Sequence, residues 1–179
     1  MSVSTVDPVF LITVQLFLAA IFGVSCLHKL KNFSLFKQHV TDYRVLPDAL
    51  TSAGAIGLAA LEIITVILLL MRSASGLLLA ATLLVLYALA MWVNLAKGRD
   101  AIDCGCGDPD QGQTISYGLV LRNGILASLA LVSVFVSVAS RELAVFDFAT
   151  ILFAVTAAML MYTTINQLLA NMPRLRNLG

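Results

Sequence analysis

The chain has 179 residues, of which 60% are hydrophobic and only 12% charged, and its formal net charge is +1. A soluble domain is nearer half apolar and a quarter charged, so this composition excludes an ordinary water-soluble globular protein. Nucleic-acid binding is not expected either, because the chain has no long basic run. With three cysteines in all, it is not a disulfide-dense secreted scaffold.

Five stretches are apolar enough to cross a bilayer, which requires about 20 apolar residues in a helix. They cover about 9–27, 51–71, 76–96, 117–139 and 146–170. Each is apolar on all sides, as spans are. The sequence therefore predicts an all-α polytopic membrane protein, with one integral membrane domain over 1–179 and about five transmembrane helices. No Lys or Arg precedes the first span, so a cleaved signal peptide is not expected.

The connection after the first span, residues 28–46, mixes apolar side chains such as Phe33 and Phe36 with charged ones such as Lys29. This pattern is typical of a helix that lies in the membrane interface. It should end before Pro47, because a proline restricts the backbone of the preceding residue. We expect this segment to anchor the chain and to cover whatever lies at that face.

The connection after the third span, residues 97–116, is polar and contains the run DCGCG, with Cys104 and Cys106. Short connections elsewhere make neighbouring spans antiparallel. This Cys loop therefore emerges at the face where the first span ends with Cys26 and His28. All three thiols are predicted at one face of the membrane.

Three interpretations of the cysteine pair stay open, with redox exchange favoured. A disulfide between residues two apart is strained and exchanges readily, so Cys104 and Cys106 suit thiol–disulfide exchange, with Cys26 as a third thiol. A soft-metal site from these three thiols and His28 is chemically reasonable, although Cys-x-Cys is tighter than the usual zinc spacing. The cysteines also fit a turn that simply needs small residues.

Glu62 falls near the middle of the second span, where a charge is costly and usually faces the bundle interior. One interpretation is a proton site or a partner for a bound ligand. The other is a protonated carboxyl group that is hydrogen-bonded to Gln15, Thr65 or Tyr87.

Arg122 lies near the start of the fourth span. It is expected either to extend to the membrane interface or to point inward and stabilise a thiolate, with Asp103 or Asp108 as its ion-pair partner.

These motifs together resemble the MauE family of methylamine utilization proteins, in a broader MauE/DoxX-like membrane group. The resemblance rests on HKLKNFSLF after the first span, GLAALEI in the second span, and DCGCG followed by SYGLVLRNGIL. It implies a multi-pass protein of the bacterial inner membrane that assists maturation, processing or export of the methylamine dehydrogenase β-subunit. Its implied partners are that disulfide-rich subunit and the thioredoxin-like protein MauD.

By the same resemblance, Cys104 and Cys106 match the family's loop pair, and Glu62, Arg122 and Asn123 match its polar positions within the spans. Cys26 is added on topology alone. The alternative function is a soft-metal-binding or export helper without redox turnover, and a further one is a membrane anchor that docks the partner. The sequence identifies no cofactor or electron acceptor.

The charge distribution conflicts with a periplasmic cysteine face. Eight Lys and Arg residues flank the spans at that face, against Arg72 and Arg141 at the other. The positive-inside rule places such a face in the cytoplasm. Disulfides, however, persist in oxidising compartments outside it.

Overall fold

A computed structural model describes residues 6–45, 47–100, 102–104 and 114–176, with the side chains of Asp48 and of 172–176 left out. Six α-helices follow one another in these ranges: α1 (Pro8–Lys31), α2 (Phe33–Asp42), α3 (Asp48–Leu70), α4 (Ala74–Ala96), α5 (Tyr117–Val134) and α6 (Val145–Arg176). All but α2 are long and apolar enough to cross a membrane. The same ranges hold two isolated β-bridges and no longer strand, so the all-α prediction is confirmed.

Helix α1 is longer than the first predicted span. It starts at Pro8, where the Asp7 carboxylate caps the helix by accepting a hydrogen bond from the Val9 N–H at 2.9 Å. Its 24 residues extend for about 36 Å, more than the hydrocarbon core of a bilayer. Residues 28–31 therefore continue α1, and only α2 forms the separate amphipathic helix of the predicted interfacial segment.

Three charged side chains hold one end of the bundle together. The Arg141 guanidinium donates to the Asp7 carboxylate at 2.8 and 2.9 Å, and to Asp147 at the start of α6 at 2.7 and 3.0 Å. The hydrogen bond from Arg141 holds the pKa of Asp7 below its ordinary value. This link is therefore complete at neutral pH and is lost only when acid protonates the carboxylate.

Helix α5 ends at Val134, before the predicted end of the fourth span at 139. The chain beyond it leaves the helix and forms a bridge with the segment before α1. In this bridge the Val6 N–H donates to the Ser137 carbonyl at 2.9 Å, and the Ala139 N–H donates to the Val6 carbonyl at 3.0 Å. Backbone pairing with Val6 thus replaces the last helical turns.

The core of the bundle lies between α1, α3, α4 and α5, where Leu18, Leu69 and Leu77 are fully buried. Helix α4 packs along α5, and α1 packs against both α3 and α6. Helix α6 stays at the perimeter and exposes large apolar side chains such as Phe153. In a bilayer this surface meets lipid, which is as apolar as the side chains themselves.

Gly76, in the first turn of α4, allows α4 to pass close to the end of α3. A Cβ atom at this position would lie 2.8 Å from backbone atoms of Leu68 and Leu69. We expect Gly76→Ala to lower the apparent Tm in detergent, with a loss of about 1–3 kcal/mol typical of overpacking. Gly57→Ala and Gly124→Ala are matched controls, because nothing lies within 4 Å of the added Cβ. A Gly76→Ala protein as stable as these controls would contradict the close packing.

Candidate functional site

A buried ion pair joins α1 to α3 inside the bundle. Lys29 Nζ donates to Glu62 Oε1 at 2.5 Å, and the two side chains are only 4% and 0% exposed. Lys29 lies in the last turn of α1, and Glu62 lies near the middle of α3. Pairing offsets the cost of removing each charge from water.

Tyr87 of α4 completes this group. Its hydroxyl donates to Glu62 Oε1 at 2.7 Å and accepts from Lys29 Nζ at 3.4 Å. The ammonium also lies 4.8 Å from the Tyr87 ring centroid and 4.9 Å from that of Phe36 in α2. The Lys29–Glu62–Tyr87 group therefore connects three spanning helices, and α2 covers it with an aromatic ring that is favourable for a cation.

Tyr87 is one of the three partners that the sequence analysis considered for Glu62. The other two do not bond to it: Thr65 donates to the Leu61 carbonyl, and Gln15 Oε1 has no hydrogen-bond partner among the described residues. Glu62 Oε2 also lacks such a partner within the described ranges. The carboxylate is therefore held through one oxygen, and its second oxygen can accept another hydrogen bond.

Lys29 is the residue that the sequence analysis missed. Its neighbours alternate between apolar and charged, so the segment fitted an interfacial helix with its lysines in water. The signal that could have found it is the cost of Glu62 in a span. A buried carboxylate requires a cation, and Lys29 directly follows the apolar run of α1.

A cavity of about 220 Å³ lies beside the Lys29–Glu62–Tyr87 group. Side chains of α1 to α4 and of the Cys loop line it, among them Lys29, Phe36, Leu58, Tyr87 and Cys104. Most of its surface is apolar. The structure thus brings a predicted redox cysteine to the same cavity as the buried ion pair.

The base of the Cys loop is fixed where it leaves the bundle. Asp103 and Thr114 form an antiparallel bridge, and the Ile115 N–H donates to the Ile102 carbonyl at 2.9 Å. Cys104 is 6% exposed and packs in an apolar cluster with Ile115. The two ends of the loop therefore lie together at the bundle, and Cys104 is buried against the bundle.

Tyr43, just beyond α2, joins the Cys loop to α4. Its hydroxyl donates to the Cys104 carbonyl at 3.4 Å, and its own carbonyl accepts from Asn94 Nδ2 at 3.1 Å. Helix α4 ends at this level with Ala96, and two residues later Gly98 adopts a φ of +70°, a left-handed conformation that suits glycine. The end of α2, the end of α4 and the start of the Cys loop thus meet at Tyr43.

The other predicted cysteines are placed differently. Cys106 lies outside the described residues. Cys26 is a buried free thiol one helical turn before Lys29, and it is not among the described residues that line the cavity. His28 is partly exposed at the end of α1. In the described part of the chain, no three His, Cys, Asp or Glu side chains come together to hold a metal ion.

Arg122 points into the bundle, which is the second of its two expected positions. It is 8% exposed and donates to Asn123 Oδ1 at 3.1 and 3.3 Å and to Asn166 Oδ1 of α6. Its guanidinium carbon lies 5.2 Å from the Tyr162 ring centroid. Among the described residues these partners are amides and an aromatic ring, and Asp103 is not one of them. The other predicted partner, Asp108, lies outside the described residues. Arg122 and Asn123 thus connect α5 to α6.

The family model described as methylamine utilisation protein MauE matches residues 7–136. The chain belongs to the MauE family. It is 34% identical to the MauE protein of Paracoccus denitrificans over 159 residues, 88% of this chain and 86% of that one. It is also 34% identical to MauE of Paracoccus versutus over 172 residues, 90% of this chain and 88% of the relative.

MauE of Methylorubrum extorquens is 33% identical over 134 residues, 69% of this chain and 68% of that protein. No solved structure matches. The resemblance inferred from the motifs is confirmed, and the family is one of methylamine utilisation. With five helices able to span a membrane in the part of the chain that the structure describes, this MauE-family chain is a multi-pass membrane protein.

We expect Lys29→Met and Glu62→Gln to destabilise the protein strongly, because each leaves the other charge buried without its partner. Losses of about 3–5 kcal/mol are typical of such changes. The double variant should lose less than the sum of the two single losses, and the apparent Tm in detergent measures this coupling. Lys31→Met, an exposed lysine of the same helix, is the control. Additive losses in the double variant would contradict a direct ion pair.

Proposed function

We propose that this protein assists maturation, processing or export of the methylamine dehydrogenase β-subunit by thiol–disulfide exchange, with the thioredoxin-like protein MauD as its partner. The observation that carries the proposal is the position of Cys104. This cysteine is held at the base of the Cys loop and lines a cavity next to a buried ion pair. A cysteine that served only as a small turn residue would not require this setting.

The proposed exchange begins with Cys104 and Cys106 joined as a disulfide. A thiolate of the partner attacks one sulfur, the S–S bond breaks, and a mixed disulfide forms. A second thiolate of the partner then attacks the partner's sulfur in the mixed disulfide. The partner leaves with a new disulfide. The pair is reduced to two thiols, which take up the two protons that the partner lost. Each exchange would supply one disulfide toward a disulfide-rich subunit.

The polar side chains in the spans position the cysteines and do not react in this scheme. Helix α5 begins directly after the Cys loop, and Arg122 and Asn123 fix its first turns against α6. The Lys29–Glu62 pair fixes α1 against α3 below the cavity. Cys26 takes no step in this scheme, and it is not among the residues that line the cavity.

We place the protein in the bacterial inner membrane, with the cysteine face toward the periplasm, where disulfides persist. The ion pair weakens the charge argument against this orientation. Lys29 is neutralised by Glu62 inside the bundle, so it does not act as a free interfacial charge. Seven cationic residues then remain at the cysteine face, compared with Arg72 and Arg141 at the opposite face.

We expect cells that carry the Cys104→Ser, Cys106→Ser double variant to contain about tenfold less mature dehydrogenase or lower, since losing native disulfides often abolishes folding of disulfide-dense proteins. Immunoblots of the β-subunit and dehydrogenase activity measure the effect, at equal membrane levels of the variant. Cys26→Ser is the control and should leave the dehydrogenase near its normal level. Normal dehydrogenase with the double variant would refute the exchange function.

A further inference from the structure

The lining of the cavity extends to the exposed apolar surface of the bundle. Two residues of its lining, Val45 and Leu86, are 59% and 46% exposed. Leu86 lies near the middle of the spanning helix α4, at a level where an exposed side chain meets lipid. A ligand that enters beside Leu86 therefore comes from the bilayer and must itself be lipid-soluble.

Lys29 offers a hydrogen-bond donor to such a ligand within the cavity. An ammonium group has three N–H donors. In the described part of the chain, Lys29 uses two of them, for Glu62 and Tyr87. Lys29 also lines the cavity, so its third donor can reach an acceptor there.

The ion pair favours an acceptor that carries no charge. The charges of Lys29 and Glu62 cancel, so a ligand carboxylate would leave a net negative charge in a low-dielectric interior. A neutral carbonyl oxygen accepts the hydrogen bond without this cost. The rings of Phe36 and Tyr87 line the same space and suit a flat, conjugated ligand.

The size of the cavity agrees with a single ring. An apolar protein cavity of about 150 Å³ accommodates benzene. The 220 Å³ here therefore accommodates one substituted six-membered ring, with any tail leaving past Leu86. Cys104 lines the same cavity, so the ring would lie beside a cysteine.

We propose that this cavity binds the head group of a lipid-soluble quinone, which reoxidises the cysteine pair. This inference rests on the proposed thiol–disulfide function. The S–H bonds of Cys104 and Cys106 break and one S–S bond forms between them. The two electrons and two protons pass to the two quinone oxygens, and the resulting quinol leaves into the bilayer. Lys29 donates to a ring oxygen, where negative charge develops as electrons arrive.

The test measures binding of decylubiquinone to the full-length protein in detergent by titration calorimetry. Ala90→Leu fills the cavity and should weaken binding by about tenfold or more, because its added atoms occupy the place of the ring. Ala157→Leu makes the same change on the exposed side of α6 and should leave binding unchanged. Decanoate, a carboxylate probe, should bind far more weakly than the quinone.

The apparent Tm of Ala90→Leu verifies that it folds, and if it does not, Leu86→Trp obstructs the mouth instead. Failure of the wild type to bind, equal binding by the filled and control variants, or equal binding of decanoate would overturn the quinone site. These binding results are independent of the dehydrogenase assay of the cysteine pair, so either proposal can fail without the other. Under excess quinone the wild-type protein should lose two titratable thiols. Binding with no loss of thiols would overturn the electron-transfer step.

Discussion

A lysine and a glutamate buried together in the membrane bundle determine how the helices around the site pack. Neither charge is tolerated alone in a low-dielectric interior, so α1 and α3 must keep the register that pairs Lys29 with Glu62. The same requirement explains why α1 continues as a helix past the apolar run. Tyr87 of α4 donates a hydrogen bond to Glu62, and Phe36 of α2 packs against the Lys29 ammonium. The pair therefore also positions α4 and α2. The cavity is the space left between these four helices and the base of the Cys loop.

The Cys loop is attached to this arrangement at its base. Tyr43 contacts Cys104 on one side and Asn94 on the other, so the cysteine has a fixed position relative to α2 and α4. Exchange requires a sulfur at a defined angle and distance from the attacking thiolate, and a fixed base supports that geometry. Because α2 also covers Lys29, the two chemical features of the site share one supporting helix.

Hydropathy alone was sufficient to predict the spanning helices, because lipid allows the backbone few alternatives to a helix. The inward position of Glu62 followed from the cost of a charge within a span. The pairing of Lys29 could not be predicted from its local pattern, since its partner is 33 residues away and the segment around it also fits an interfacial helix. Arg122 is a similar case, because its contact with Asn166 joins residues 44 positions apart. Partners of buried polar groups are set by packing between helices.

Trapping a mixed disulfide shows whether the cysteine pair exchanges disulfides with a partner, as proposed. Cys104→Ser and Cys106→Ser single variants each keep one sulfur that can bond to the partner, while the thiol that would release it is gone. In cells that also produce the thioredoxin-like partner, at least one variant should form an adduct on non-reducing gels that reductant removes. The double variant should form none. An adduct would also place the cysteine face in the partner's compartment, since both thiols must meet there. Absence of an adduct from both folded single variants would rule out this exchange.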